Sequence, residues 1–237
     1  ILNLKGLFIK VGQLISILSN FLPEYFRREL EELQDQIPAQ PLSEIIARIQ
    51  SEFGRNPEEL FASFEENAFA SASLAQVHKA QLHDGRVVAV KVQYMDIEAI
   101  AHKDLKTIQR LISITGFLFR IRGMDTNFAQ IREMILEELD FEKEAQNIKE
   151  IAANFENESK VSFPQVVEEF SSQRILTTEF IAGVKISDLD AISSLGIDQK
   201  ELSERVLVAY CQMIFSDGIY HADPHPGNIL VQPDGGI

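Results

Sequence analysis

The stretch Ala70-Ser71-Ala72-Ser73-Leu74-Ala75-Gln76-Val77 decides how this chain is read. Its spacing is that of a loop that covers phosphates, G-x-G-x-x-G-x-V, with alanine standing at every glycine position. Taken alone, the stretch reads equally as a small-residue helix cap or a strand entry. Its surroundings favour the loop. Residues 75–82, AQVHKAQL, and 86–93, RVVAVKVQ, are strand-like runs joined by His83-Asp84-Gly85, an Asp-Gly hairpin signal. The second run carries Val88-Ala89-Val90-Lys91. A lysine among apolar strand residues points its stem into a cleft, where the ammonium needs an anionic partner. The competing reading is an edge-strand lysine facing solvent.

Working outward, the first ~65 residues read as helical. GLFIKVGQLISIL is apolar on most sides, as in a helix packed between others. SEIIARIQSEFG sets Ile45, Ile46, Ile49 and Phe53 on one stripe, with Ser43 as N-cap and Gly54 as stop. After the hairpin, helical patterns cover about 97–119 and 127–155. Two strand-like runs follow, FPQVVEEF and RILTTEF, separated by the polar turn Ser171-Ser172-Gln173. A last helix over about 199–216 ends at Asp217-Gly218. The order predicts an α+β, two-lobed plan rather than alternating βαβ units.

Composition narrows the function classes. The 237 residues are 45% apolar and 24% charged, which suits a folded protein. A formal charge of −14 argues against nucleic acid as a partner and against binding anionic lipid by charge alone. The single cysteine, Cys211, excludes an intramolecular disulfide, fits a reducing compartment, and lies in an apolar run that predicts a buried, inert thiol. No run reaches the length of a membrane span, and the opening residues do not pair a basic n-region with an apolar h-region. The chain starts without Met and stops after a strand and turn, so both ends are expected to continue in a longer protein that carries any targeting or anchoring segment.

Two further stretches carry polar chemistry. EELDFEKEAQN holds Glu138, Asp140 and Glu144. Read as one helix, Glu138 and Glu144 lie about 120° apart and address different partners, making Glu144 the ion-pair candidate for Lys91. His221-Ala222-Asp223-Pro224-His225-Pro226-Gly227-Asn228 spaces Asp223 and Asn228 as in the H-R-D-x-x-x-x-N catalytic loop. An Asx-turn is the plain alternative. A metal site of His221, Asp223 and His225 is another, lacking an obvious fourth ligand nearby. Between these stretches, Thr178-Glu179-Phe180-Ile181 leaves a strand toward Gly183, where a hinge backbone would bond an adenine.

Together with Lys10-Val11-Gly12-Gln13, a K-x-G-Q motif, these stretches resemble the UbiB-like, aarF-domain family of atypical kinases linked to ubiquinone and related prenyl-quinone lipids. The resemblance covers nearly the whole chain. It implies a two-lobed protein-kinase-like fold with a helical extension over 1–65, an N-lobe over 66–181, and the start of a truncated C-lobe over 182–237. It implies ATP or ADP with Mg2+ as cofactors. Ala70, Ser71, Ala72, Ser73, Ala75, Val77 and Ala89 would line the nucleotide, and Glu179 and Ile181 would form the hinge. Lys91 would contact the α/β-phosphates and pair with Glu144. The extension would bring Lys10 near Glu138 and Asp140, and Gln13 near the nucleotide. Asp223 would be the catalytic acid and Asn228 a magnesium ligand.

The family's D-F-G metal ligand would follow Ile237, so this piece is expected to turn over nothing by itself. For the whole protein the resemblance implies an ATPase or small-molecule kinase in quinone-lipid metabolism. Alternatives are a nucleotide-regulated lipid chaperone without phosphotransfer and a phosphotransferase of the aminoglycoside or choline kinase type, whose HGDLHPGN loop is similar to HADPHPGN here. The expected setting is cytoplasmic, with a prenyl-quinone or other lipid as partner and peripheral membrane contact through regions outside this sequence.

Overall fold

The fold is given by a computed structural model that describes residues 39–72, 74–119, 124–221 and 226–237. Helix α1 (Leu42–Phe53) starts after Pro41, which takes the N-cap position without a side-chain bond, so Ser43 lies inside the first turn and caps nothing. Gly54 ends the helix at φ 67°, its N–H bonding the Gln50 carbonyl. Most of the expected stripe is present: Ile45 and Ile49 are buried and Phe53 packs on the same core, whereas Ile46 is only half-buried. The short helix α2 (Pro57–Leu60) buries Pro57 and Leu60.

Strands β1 (Ser63–Phe64), β2 (Ala70–Ser71), β3 (Ala75–Gln81) and β4 (Val87–Gln93) follow, all pairing antiparallel through β3. The β3–β4 turn is the Asp-Gly hairpin, with Gly85 at φ 93° and the Leu82 N–H bonded to the Arg86 carbonyl. Alternation gives the hairpin two faces. Ala80, His78 and Gln76 on β3, opposite Val88, Val90 and Val92 on β4, are buried beneath the sheet. There the three valines join Ile45, Ile49, Leu60, Phe61 and Ile175 in the main core.

Helix α3 (Ile97–Phe119) pairs with α4 (Met124–Glu137) over a small cluster of Leu105, Phe128 and Ile135. The expected helix over 127–155 is two helices. Asp140 accepts the Glu142 N–H on its carboxylate at 3.2 Å, the contact of a helix start, and α5 (Phe141–Asn154) begins there. Glu138 and Glu144 therefore sit on different elements, and the 120° relation does not apply.

Strand β5 (Ile175–Glu179) lies next to β4 in the sheet order β1-β3-β4-β5. FPQVVEEF is not its strand partner along its length. It makes one bridge, Val166 to Thr178, and then a 3-10 turn at Glu168–Phe170. Pro164 cannot donate to a ladder, and the Ser171 hydroxyl is drawn to the Val167 and Thr177 carbonyls.

The chain divides into two compact units, one of residues up to Lys143 with Val167–Thr177, the other of Glu144–Val166 with Thr178–Ile237. In the second, β6 (Val184–Lys185) pairs with β7 (Leu230–Val231), and helices α6 (Leu189–Ser194) and α7 (Gln199–Cys211) are capped by Asp188 and Asp198. A π-helical turn, Gln212–Asp217, carries α7 on to Gly218 at φ 70°. Ile151, Phe155, Ala209 and Met213 form one core here, and Ile192, Leu202 and Val231 another. Cys211 is exposed, contrary to the expectation of a buried thiol, because α7 turns Leu202 and Ala209 inward and leaves the thiol on its outer face.

Candidate functional site

In the first unit the alanine stretch is neither a helix start nor open loop. Ala70 pairs with Val77, and Val77 pairs with Lys91, so the stretch and the lysine share one row of the ladder. Directly opposed residues in an antiparallel sheet face the same way. Val77, Ala89 and Lys91 are half-buried on the sheet face opposite the core. The turn between β2 and β3 is held at three points. The Ala72 N–H donates to the Ala75 carbonyl at 2.8 Å, the Leu74 side chain is buried in the core, and the Leu74 carbonyl accepts the Tyr94 N–H at 3.0 Å. Burial pushes the Tyr94 phenol up to about 12, with Ser71 pulling weakly the other way.

Lys91 extends from β4 so that its ammonium lies 4.6 Å from the centre of the Phe141 ring. Gln93, two residues on and on the same strand face, donates its side-chain N–H to the Leu139 carbonyl at 2.8 Å. The Phe141 N–H donates to the Gln173 carbonyl at 2.9 Å. Below the strand end, Arg48 donates to the carbonyls of Gln93, Tyr94 and Met95. Burial lowers its pKa most, Arg174 adds to that, and Glu52 opposes it. Glu52 also accepts from Ser172 and Arg174, and Arg174 reaches Glu98 at 2.8 Å. Sequence reading missed Arg48, Gln93 and Phe141. A glutamine closing a valine-rich strand was the available signal for Gln93, and an arginine amid the α1 stripe for Arg48.

A second buried chain of bonds starts from β3. His78 Nδ1 bonds the Glu65 carbonyl at 2.8 Å, which leaves Nε2 to accept from the Gln76 amide at 2.9 Å. Gln76 in turn accepts the Gln40 N–H at 2.7 Å. The imidazole is fully buried, stacks on Phe64 at 4.8 Å, and is lowered in pKa by that burial.

Of the acidic residues, Asp140 serves as the cap of α5, and the exposed Glu138 falls between α4 and α5. Glu144 belongs to the second unit, Lys91 to the first. In the second unit Glu179 uses its N–H to bond the Gln165 carbonyl at 2.8 Å, and the Ile181 N–H makes no backbone bond among the described residues. Gly183 passes so close to β7 that a Cβ would lie 2.9 Å from the Val231 carbonyl oxygen. Asn228 ends an exposed 3-10 turn, Pro226–Asn228, just before β7. Lys10, Gln13, Ser73 and Asp223 lie outside the described residues, as does His225 of the alternative metal site. Neither a cavity of about 280 Å³ beside Phe155 and Arg205 nor one of about 130 Å³ beside Phe61 and Phe64 is lined by Lys91.

A five-stranded sheet in which the alanine stretch pairs with the strand next to that of Lys91, followed by an acid-rich helix, is that of a kinase-like α+β fold. The chain belongs to the ABC1 atypical kinase-like domain family, whose model matches residues 32–237. It is 38% identical over 234 residues to the AarF domain-containing protein kinase 1 of Gallus gallus, covering 98% of this chain and 45% of that protein. It is 37% identical over 227 residues to the probable serine/threonine-protein kinase abkD of Dictyostelium discoideum, covering 96% and 33%. A solved structure, the complex of Rv3197 from Mycobacterium tuberculosis with erythromycin, matches at a TM-score of 0.70 and 32% identity, covering 98% of this chain and 59% of that one. The chain thus spans less than half the length of these two curated relatives.

Proposed function

We propose that the protein containing this chain binds a magnesium nucleotide, ATP or ADP, through Lys91, and works as an ATPase or small-molecule kinase supporting ubiquinone or related prenyl-quinone metabolism. The observation that supports nucleotide binding is the ladder row Ala70–Val77–Lys91, which sets the start of the small-residue stretch and a half-buried cation on one sheet face. Small side chains admit a polyphosphate to the sheet, and the ammonium supplies the charge it needs. In this reading Glu144 orients Lys91, and the Glu179 carbonyl and Ile181 N–H hold the base. Asp223 orients the attacking hydroxyl or water. Asn228 offers an amide oxygen, a hard ligand of the kind magnesium takes. Bound magnesium would neutralise phosphate charge during transfer. Lys10 and Gln13 approach the nucleotide from the N-terminal extension, near Glu138 and Asp140.

The solved relative's complex with erythromycin favours a small organic molecule over a protein as second ligand. A nucleotide-regulated lipid chaperone differs from this reading in transferring phosphate to no acceptor, neither water nor a second molecule. The deciding experiment is ATP hydrolysis by the intact protein with Lys91→Ala and Asp223→Asn, run beside a labelled-phosphate screen of lipid and protein extracts. Both substitutions should abolish hydrolysis. Hydrolysis unchanged in either variant defeats the proposal, and a labelled protein product would mark a protein kinase instead.

A further inference from the structure

We propose that Phe141 is a positioning residue for Lys91, holding the ammonium where it meets the nucleotide phosphates; the inference rests on the nucleotide reading above. A lysine ammonium sits on a flexible four-carbon stem, so a strand position alone does not fix it. Here the charge lies 4.6 Å from the Phe141 ring centre, within range of attraction by the negative face of the ring.

The ring itself is held hard. Phe141 is 1% exposed and is the first residue of α5, so it cannot swing with a loop. Its N–H is fixed by the Gln173 carbonyl at 2.9 Å. Two residues earlier, the Leu139 carbonyl accepts the Gln93 side chain at 2.8 Å. Gln93 stands two residues after Lys91, so one strand face supplies both the cation and the bond that sets its distance from the ring. Arg48 then anchors the Gln93 carbonyl from below at 3.1 Å. The lysine, the ring and their spacer form one rigid triangle inside the first unit.

The test is titration of Mg-ADP into the intact protein, its Phe141→Leu and Lys91→Met variants, and the double variant, followed by calorimetry. Phe141→Leu should weaken binding about 3- to 10-fold, the range expected of one partly desolvated cation–π contact. In the Lys91→Met background the same change should add less than about twofold, because the ring then has no cation to hold. Equal losses in both backgrounds would mean a structural role alone and overturn the inference, as would tighter binding by Phe141→Leu. Unchanged affinity in Lys91→Met would remove the nucleotide reading and this inference together. If Phe141→Leu loses the native melting transition, Phe141→Met fills the site without a π face and carries the same cycle.

Discussion

The guanidinium of Arg48 donates through Nε to the Gln93 carbonyl at 3.1 Å and through Nη2 to the next two carbonyls, those of Tyr94 and Met95. A strand that ends in a buried setting leaves carbonyls without ladder partners, and here one fork from α1 reaches three, of which that of Tyr94 also accepts the Ile97 N–H at 3.4 Å. The charge stays balanced because Glu52 lies 3.9 Å from Nη1. Arg48→Leu should therefore destabilise the first unit by about 2–4 kcal/mol, through orphaned carbonyls and an unbalanced Glu52. Arg48→Lys should recover less than half, since a single ammonium cannot reproduce the fork. Urea unfolding midpoints of the two variants measure this, and equal midpoints for Lys and wild type would contradict it.

Glu98 and Arg174 make the partly exposed outer link of the same network at 2.8 Å. The Arg174 hydrogen bond holds the Glu98 carboxyl below its ordinary value. A depressed carboxylate stabilises the fold above its unfolded pKa, near 4.5, and that share is lost as pH falls through the lower folded value. Because the pair is exposed to solvent, the share is about 0.2–1 kcal/mol. Wild type should exceed Glu98→Gln by that margin at pH 7, and the gap should close as pH falls from 4.5 through the lower folded value. A gap that persists in acid would mean the residue acts through packing.

His78 titrates in the other window. Burial lowers its pKa beneath the ordinary 6.5, so the unfolded chain binds a proton that the folded one refuses. Its contribution is complete above pH ~6.5 and falls away as pH drops through the folded value. Protonation would also give Nε2 a hydrogen facing the Gln76 amide donor, breaking the link to Gln40. Stability measured from pH 7.5 to 5 should decline in wild type and lose that slope in His78→Phe, which keeps the ring packed on Phe64.

Gly183 is needed for lack of space rather than for an unusual backbone angle. A methyl group there would lie 2.9 Å from the Val231 carbonyl and 3.1 Å from the Leu230 Cβ. Gly183→Ala should push β6 from β7 and cost about 1–3 kcal/mol, read as a lower melting temperature of the second unit. A melting temperature unchanged within error would show that the β6–β7 pair gives way freely.

Period and turn chemistry made the hairpin legible, because valines at every second place and Asp84-Gly85 leave one reading of residues 75–93. Helix α7 and its stop at Gly218 followed from the same local rules. The break at 138–140 was not legible, since Asp140 looks like one more acid on a charged face until its carboxylate is seen capping α5. Cys211 failed for a related reason: an apolar run says that a face is buried, not which one. Lys91 could be read from its apolar flanks, but its distance to Phe141 depends on a strand and a helix fifty residues apart. No local pattern carries that.

The alanine turn gives the last prediction. Glycine in such a loop frees the backbone to approach phosphates, whereas Ala70 is locked into β2 and the Ala72 N–H is already bonded to Ala75. That N–H points into the turn, so a nucleotide bound as proposed would meet methyl groups and whichever amides remain. Ala72→Gly should loosen the turn at about 0.5–1 kcal/mol of stability and free the backbone to rotate toward phosphate. The expected result in the intact protein is a shift in the ratio of ATP to ADP affinity of about threefold or more, the size of a fraction of one hydrogen bond. Ala70→Gly, in a paired strand, should shift it less. Titrations with both nucleotides decide the matter: a ratio unchanged in Ala72→Gly, with the stability loss present, would confine the alanines to holding the turn closed.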